Sequence, residues 1–134
     1  MKETKSGKNL HGIGRRKSSV ARVWLKPGTG SIVVNGKSYD TYFDTATARE
    51  MVVLPLKIAD QASSFDIMVN VLGGGQLGQA GATRLGISRA LVHFDERLRS
   101  ILKQHKLLHC DSRVKERKKY GQRGARRKFQ FVKR

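Results

Sequence analysis

Apolar and polar positions alternate over residues 19–25. Ala21, Val23 and Leu25 share one face while Val20, Arg22 and Trp24 share the other, which is the period of a β-strand. Pro27, Gly28 and Gly30 interrupt the pattern as a turn. Residues 32–34 form a second short apolar run, and Asn35-Gly36 is a dipeptide favoured by tight hairpins. This front section reads as antiparallel β. Farther on, Phe65, Ile67, Val69 and Val71 alternate with Asp66, Met68 and Asn70, a third strand closed by Gly73-Gly74-Gly75.

Helical spacing fills the remainder. A helix is expected to begin near Asp44 or Thr45, with Thr47 and Glu50 three residues apart as a capping box, and Pro55 ends or kinks it. Ile87, Leu91, Phe94, Leu98 and Ile101 recur at three and four, predicting a long helical region that breaks or frays at its two ends. Asp95 stands four before Arg99, the spacing of a favourable ion pair. Strands, helix, strand and helices in that order predict a two-layer α+β sandwich without internal repeats.

The 134 residues amount to one domain, and the distribution of its +18 charge divides the chain further. Residues 1–26 hold eight Lys or Arg against one acid, and residues 27–112 hold nine against eight. Residues 113–134 hold eleven (Arg113, Lys115, Arg117, Lys118, Lys119, Arg123, Arg126, Arg127, Lys128, Lys133, Arg134) against Glu116 alone. Apart from Val114, the sizeable apolar groups of that segment are Tyr120, Phe129, Phe131 and Val132. They are too few to offset the entropy of ordering, so by itself the segment is expected to be disordered. The division that follows is a flexible arm over residues 1–10, a globular RNA-binding body over 11–112 and an extended basic tail over 113–134. Charge this dense and one-sided calls for a polyanion.

Gly14-Arg15-Arg16-Lys17, just ahead of the first strand, makes a second phosphate grip, to which Arg22 adds. Tyr120, Phe129 and Phe131 can stack on unpaired bases, and Gly121 and Gly124 keep the tail pliable. Gly78, Gly81 and Gly86 fall in the predicted helix, where each costs about 1 kcal/mol relative to alanine. One reading is close packing on the sheet. The other is close approach of RNA phosphate to Gly73, Gly74, Gly75, Gly78 and Gly81, which Arg84 and Arg89 favour. Both can hold.

Other chemistries find little support. Gly73-Gly74-Gly75-Gln76-Leu77-Gly78 matches the dinucleotide-binding fingerprint in form, yet no second strand ending in an acid follows, and no Gly-Lys-Ser/Thr phosphate loop is present. His105, His109 and Cys110 lack a fourth metal ligand, and the ordinary reading is a helix C-terminus complemented by His and Lys106. The acids are scattered one at a time and no nucleophile–base arrangement stands out, so no catalytic residues, metal, cofactor or small-molecule substrate are assigned. No zinc finger or helix-turn-helix pattern supports sequence-specific DNA readout. A single cysteine forbids an intrachain disulfide, the N-terminus has no signal-peptide core, and no apolar run is long enough for a membrane span. A soluble, cytoplasmic protein is expected.

Several ordered segments carry a resemblance: Gly14-Arg15-Arg16-Lys17-Ser18-Ser19, Ala21-Arg22-Val23, Lys26-Pro27-Gly28, Tyr42-Phe43, Gly73-Gly74-Gly75, Gly78-Gln79-Ala80-Gly81-Ala82, Gly86-Ile87-Ser88-Arg89-Ala90-Leu91, Glu116-Arg117-Lys118-Lys119, Ala125-Arg126-Arg127, Gln130-Phe131 and Lys133-Arg134. In this order and spacing, from about Gly12 to the end, the chain resembles the universal S-nine family of small-subunit ribosomal proteins, in its bacterial form. The resemblance implies an S-five domain 2-like body with a left-handed βαβ crossover. It also implies docking on small-subunit ribosomal RNA in the subunit head, beside neighbouring head proteins. The tail would reach the decoding region, where Lys133 and Arg134 contact the peptidyl-site tRNA. Val132 and Phe129 depart from the serine and proline common in that ending, which alters the tip but removes no cation. Two other readings stay open on the residues alone, a free RNA chaperone and a small nucleotide-binding enzyme built on the glycine loop.

Overall fold

The computed structural model describes residues 10–133. The proposed arm over residues 1–10 therefore lies outside it except for Leu10, and so does Arg134. Leu10 already begins a strand, β1 (Leu10–Arg16), which the hydrophobic pattern does not announce. A turn at Lys17 and Ser18, with Lys17 at φ 53°, leads into β2 (Ser19–Pro27). The cationic Arg15-Arg16-Lys17 run accordingly lies at the tip of a hairpin rather than at the entry to a first strand. β3 (Ile32–Val34) and β4 (Lys37–Ser38) make a smaller hairpin across Asn35-Gly36. Two helices follow, α1 (Tyr39–Tyr42) and α2 (Ala46–Ile58), then β5 (Phe65–Leu72), α3 (Gln76–Phe94) and α4 (Leu98–Gln104).

The five strands form one sheet in the order β1-β2-β5-β3-β4. β5 occupies the centre, antiparallel to β2 and parallel to β3. The front section is antiparallel within each of its two hairpins, as expected, but the hairpins do not pair with each other, and β5 joins them. Alternation decides the faces. Ala21, Val23 and Leu25 from β2, Ile32 and Val34 from β3, and Phe65, Ile67, Val69 and Val71 from β5 are buried under the helices. α2 contributes Ala48, Val52 and Leu56, and α3 contributes Ala80, Ala82, Ile87, Ala90 and Leu91. The result is a mixed α+β fold with helices against one face of the sheet.

β1 and α3 meet without large side chains. Gly12 and Gly14, opposite Val23 and Ala21 in β2, face the helix backbone. A Cβ at Gly12 would overlap the Gly86 carbonyl, and one at Gly14 would overlap the Ala82 carbonyl. The edge strand is also held by Arg89, whose Nη1 donates to the Ile13 carbonyl at 2.7 Å. An edge strand with unpaired carbonyls needs such a donor.

Three helical details differ from expectation. Thr45, not Thr47, caps α2, its hydroxyl accepting from the Ala48 amide at 3.4 Å, and Ala48 rather than a glutamate sits at the box position. Pro55 neither ends nor breaks α2, which runs on to Ile58. The long helical region is interrupted at residues 95–97, where Asp95 Oδ1 accepts from the Arg97 amide at 3.0 Å. That break separates Asp95 from Arg99, which pairs instead with Glu96 at 2.6 Å. Phe94 and Ile101 of the helical stripe are largely exposed.

The loop over residues 28–31 is ordered from β5. Asp66 Oδ1 accepts from the Thr29 amide at 3.0 Å and the Ser31 amide at 3.2 Å. The Thr29 and Ser31 backbone donors hold the carboxyl below its ordinary range. A carboxylate depressed in the fold stabilises above its unfolded pKa, and that contribution disappears as pH falls through the depressed value. The melting-temperature advantage of the wild type over Asp66→Asn, measured by calorimetry, is therefore expected at pH 7 and shrinks as pH falls below about 4.

Candidate nucleic-acid interface

Strand alternation splits the first cationic cluster. Arg15 and Arg22 are exposed on the sheet face that carries no helices, where they accompany Trp24, Met68 and Ile13. Trp24 lies against His11 with ring centroids 5.0 Å apart. Arg16 turns the other way, onto α3. Its side chain crosses the helix at Gly81, where a Cβ would overlap the Arg16 Cδ. Glycine at this position makes room for the arginine.

That placement brings Arg16 beside Arg84 of α3. The Arg84 guanidinium is half-buried, and its pKa is pushed below the ordinary value first by burial and then by the Arg16 charge, with Asp111 opposing. The chain after α4 closes the site. Leu107 is buried, and the Cys110 thiol lies 3.6 Å from the Arg15 carbonyl, so the root of the tail is fixed against the end of β1. Asp111 then receives a fork from Arg113, Nε to Oδ1 at 3.0 Å and Nη2 to Oδ2 at 2.8 Å, with the Arg113 amide adding a third bond at 3.1 Å. The Arg113 bonds hold Asp111 far below the usual carboxylate range and raise Arg113. A cleft of about 350 Å³ opens here between Arg84, Lys106, His109, Asp111, Ser112 and Arg113.

The glycine-rich turn has a local explanation. Gly73 and Gly74 adopt φ 78° and 67°, a conformation costly for other residues. The turn packs on the hairpin: Ser19 Oγ donates to the Gly73 carbonyl at 2.8 Å, and a Cβ on Gly74 would overlap that hydroxyl. Gly78 also faces Ser19, while Gly75 has open space around its Cβ position. The start of α3 is latched to α1 and to the link between α1 and α2, through Tyr42 Oη donating to Gln79 Oε1 at 2.7 Å and Gln76 Nε2 donating to Asp44 Oδ2 at 2.8 Å. Close packing thus accounts for Gly74, Gly78, Gly81 and Gly86.

The tail has no helix or strand among residues 113–133, but it is not featureless. Glu116 pairs with Lys119 and with Arg126, the latter at 2.9 Å, and these two cations lower its pKa. Lys119 also donates to the Ala125 carbonyl, and the Arg123 amide to the Arg127 carbonyl at 2.9 Å, which folds residues 119–127 back on themselves. The Arg123 guanidinium lies 5.4 Å from the centre of the Phe129 ring. Tyr120 and Phe131 are 95% and 87% exposed, available for stacking. Lys115, Arg117, Lys118, Arg123, Arg127, Lys128 and Lys133 point into solvent.

One expectation changes here. His105 caps the end of α4, as a helix C-terminus predicts, but His109 is not on a helix, because α4 ends at Gln104. Among the described residues no group of three His, Cys, Asp or Glu side chains gathers as a metal site, and no helix is long and apolar enough to cross a membrane. Asp111, Lys106 and His109 belong to the cationic cleft; the sequence pattern placed Lys106 and His109 at a helix C-terminus and passed over Asp111. The available signal was Asp111 itself, a lone acid at the junction of neutral body and basic tail.

Comparison with known proteins gives a consistent result. The family described as ribosomal protein S9/S16 matches residues 14–134. The chain is 53% identical over 122 residues to the small ribosomal subunit protein uS9 of Anaeromyxobacter sp. (strain K), covering 91% of this chain and 94% of the relative. It is 50% identical over 125 residues to that of Syntrophobacter fumaroxidans, covering 93% and 96%. The uS9 of Desulfosudis oleivorans is 51% identical over 125 residues, with the same coverage.

Proposed function

Because the chain belongs to the ribosomal protein S9/S16 family and is thereby a structural, non-enzymatic component of the small ribosomal subunit, we propose that it binds small-subunit ribosomal RNA in the subunit head and reaches the peptidyl-site tRNA with its tail. The body takes the S-five domain 2-like form and lies beside other head proteins in the cytoplasmic ribosome. The observation that carries the reading is the charge distribution: a nearly neutral body continues into a coreless tail with eleven cations and one acid.

The mechanism is electrostatic. Lys and Arg neutralise phosphates where RNA strands crowd together and release their counterions, while exposed tail aromatics stack on unpaired bases. The body folds around its own core and the extensions settle on RNA. Arg15, Lys17 and Arg22 at one end of the sheet, Arg84 and Arg89 on α3, and the cations of residues 113–128 follow the ribosomal RNA. The exposed turn from Gly73 to Gly75 lets its backbone come close, while Gly78 and Gly81 set the packing behind that turn. Lys133 and Arg134 add positive charge beside the tRNA anticodon stem.

A sucrose gradient of native extract tests the location: the protein should travel with small subunits and polysomes and resist moderate salt. Recovery at the top of the gradient would favour a free RNA chaperone. For the tip, small subunits carrying a chain that lacks Lys133 and Arg134 are expected to assemble normally and to release peptidyl-site tRNA about two- to tenfold faster. An unchanged off-rate would count against the tRNA contact.

A further inference from the structure

Arg16 and Arg84 are anomalous as a pair. Both are half-buried and they are close enough for their charges to oppose each other, yet among the described residues neither guanidinium donates a hydrogen bond or joins an ion pair. Their nitrogens keep contact with water, but two guanidiniums held side by side without an acceptor repel each other. The one nearby carboxylate, Asp111, has both oxygens taken by the Arg113 fork. Arg84 lines the open cleft with Lys106 and His109, and Arg16 lies in the narrower pocket that adjoins it, which shares Arg84, His109 and Asp111 with the cleft.

Resting on the RNA-binding reading above, we propose that Arg16 and Arg84 form a seat for one phosphodiester group of an RNA backbone at the root of the tail. The planar guanidinium fork suits a phosphate's paired oxygens, and bringing one anion between two cations removes their mutual repulsion. Gly81 is required because it lets the Arg16 side chain lie across α3. Asp111 is a positioning residue: it turns Arg113 outward, so the first tail cation meets the next stretch of backbone instead of crowding the seat. A phosphodiester fits better than a free anion because the cleft runs directly into the cation-rich tail, which a continuous polyanion can follow.

The experiment uses the full chain with a head-domain fragment of small-subunit ribosomal RNA, titrated over a salt series. Arg84→Gln and Arg84→Met are compared with Arg97→Gln, an exposed arginine far from the cleft. Both Arg84 variants should bind about tenfold more weakly and flatten the salt slope by about one unit, while Arg97→Gln does neither. Removing the Arg84 charge relieves its repulsion with Arg16, so the melting temperature of the free protein should not fall, and Arg84→Met keeps an apolar stem in place. In NMR spectra the Arg84 Nε–Hε signal should shift with RNA and not with inorganic phosphate alone. RNA affinity and slope equal to those of Arg97→Gln overturn the proposal, as does an Arg84 signal that answers to inorganic phosphate but not to RNA. If the wild type itself does not bind the fragment, the RNA-binding reading fails and this seat fails with it.

Discussion

A chain ended at Ser112 is expected to keep its fold and lose most of its hold on RNA. The buried apolar residues of the core run from Ala21 to Leu107, so the truncation removes none of them. What goes is eleven cations and the exposed aromatics among them. A protein that neutralises six to ten phosphates loses about 10³–10⁵ in affinity between 50 and 200 mM salt, and the tail carries enough free charge to account for contacts on that scale. At low salt the truncated chain should bind ribosomal RNA about 10²–10³-fold more weakly, with a much shallower salt slope, and its melting temperature should move by no more than about 3 °C. A filter-binding salt series and a thermal melt read both quantities. A collapsed melting temperature would mean the tail supports the body, and an unchanged slope would mean the body supplies the phosphate contacts.

Gly14→Ala should have the opposite profile, with a large loss of stability and little direct effect on the tail. The added methyl would overlap the Ala82 carbonyl and lie against the Gly86 amide nitrogen at 2.5 Å. These are backbone atoms of α3, so no side-chain rotation relieves the clash, and strand and helix must separate. Overpacking of this kind costs typically about 1–3 kcal/mol and more where backbone must move, so a loss of about 3 kcal/mol is expected. For a domain of this size that is about 10 °C in melting temperature. Gly75→Ala is the control, since open space surrounds its Cβ position and its φ of −97° suits any residue. Equal melting temperatures for the two variants would show that the β1–α3 approach is looser than the geometry implies.

What was legible in the sequence follows from what each element buries. β2 and β5 alternate cleanly because they bury one row of branched and aromatic side chains under the helices. β1 was invisible because its helix-facing positions include Gly12, Gly14 and Arg16, which give no apolar alternation; the packing signal sits instead in the small residues of α3, far away in sequence. The stripe from Ile87 to Ile101 continued smoothly through the break at residues 95–97, so two helices read as one. The parallel pairing of β3 with β5 was beyond local pattern altogether, as register partners are not encoded in alternation. The tail needed only a count of charges. The placement of Arg16 beside Arg84 could not be counted, since the two come from the end of a strand and the middle of a helix.

The central place of β5 also orders the chain's own synthesis. Residues 10–38 can form two separate hairpins, but these have no common partner until residues 65–72 have been made, and β1 lacks its helical cover until α3 follows. Much of the contact map therefore joins segments roughly half a domain apart, a topology that folds slowly and leaves strand edges open meanwhile. The cation-rich tail comes off the template after the body. By the time its charges appear, every strand and helix of the described body has been made, and the body's sheet can already be complete when the most adhesive part of the molecule meets a polyanion.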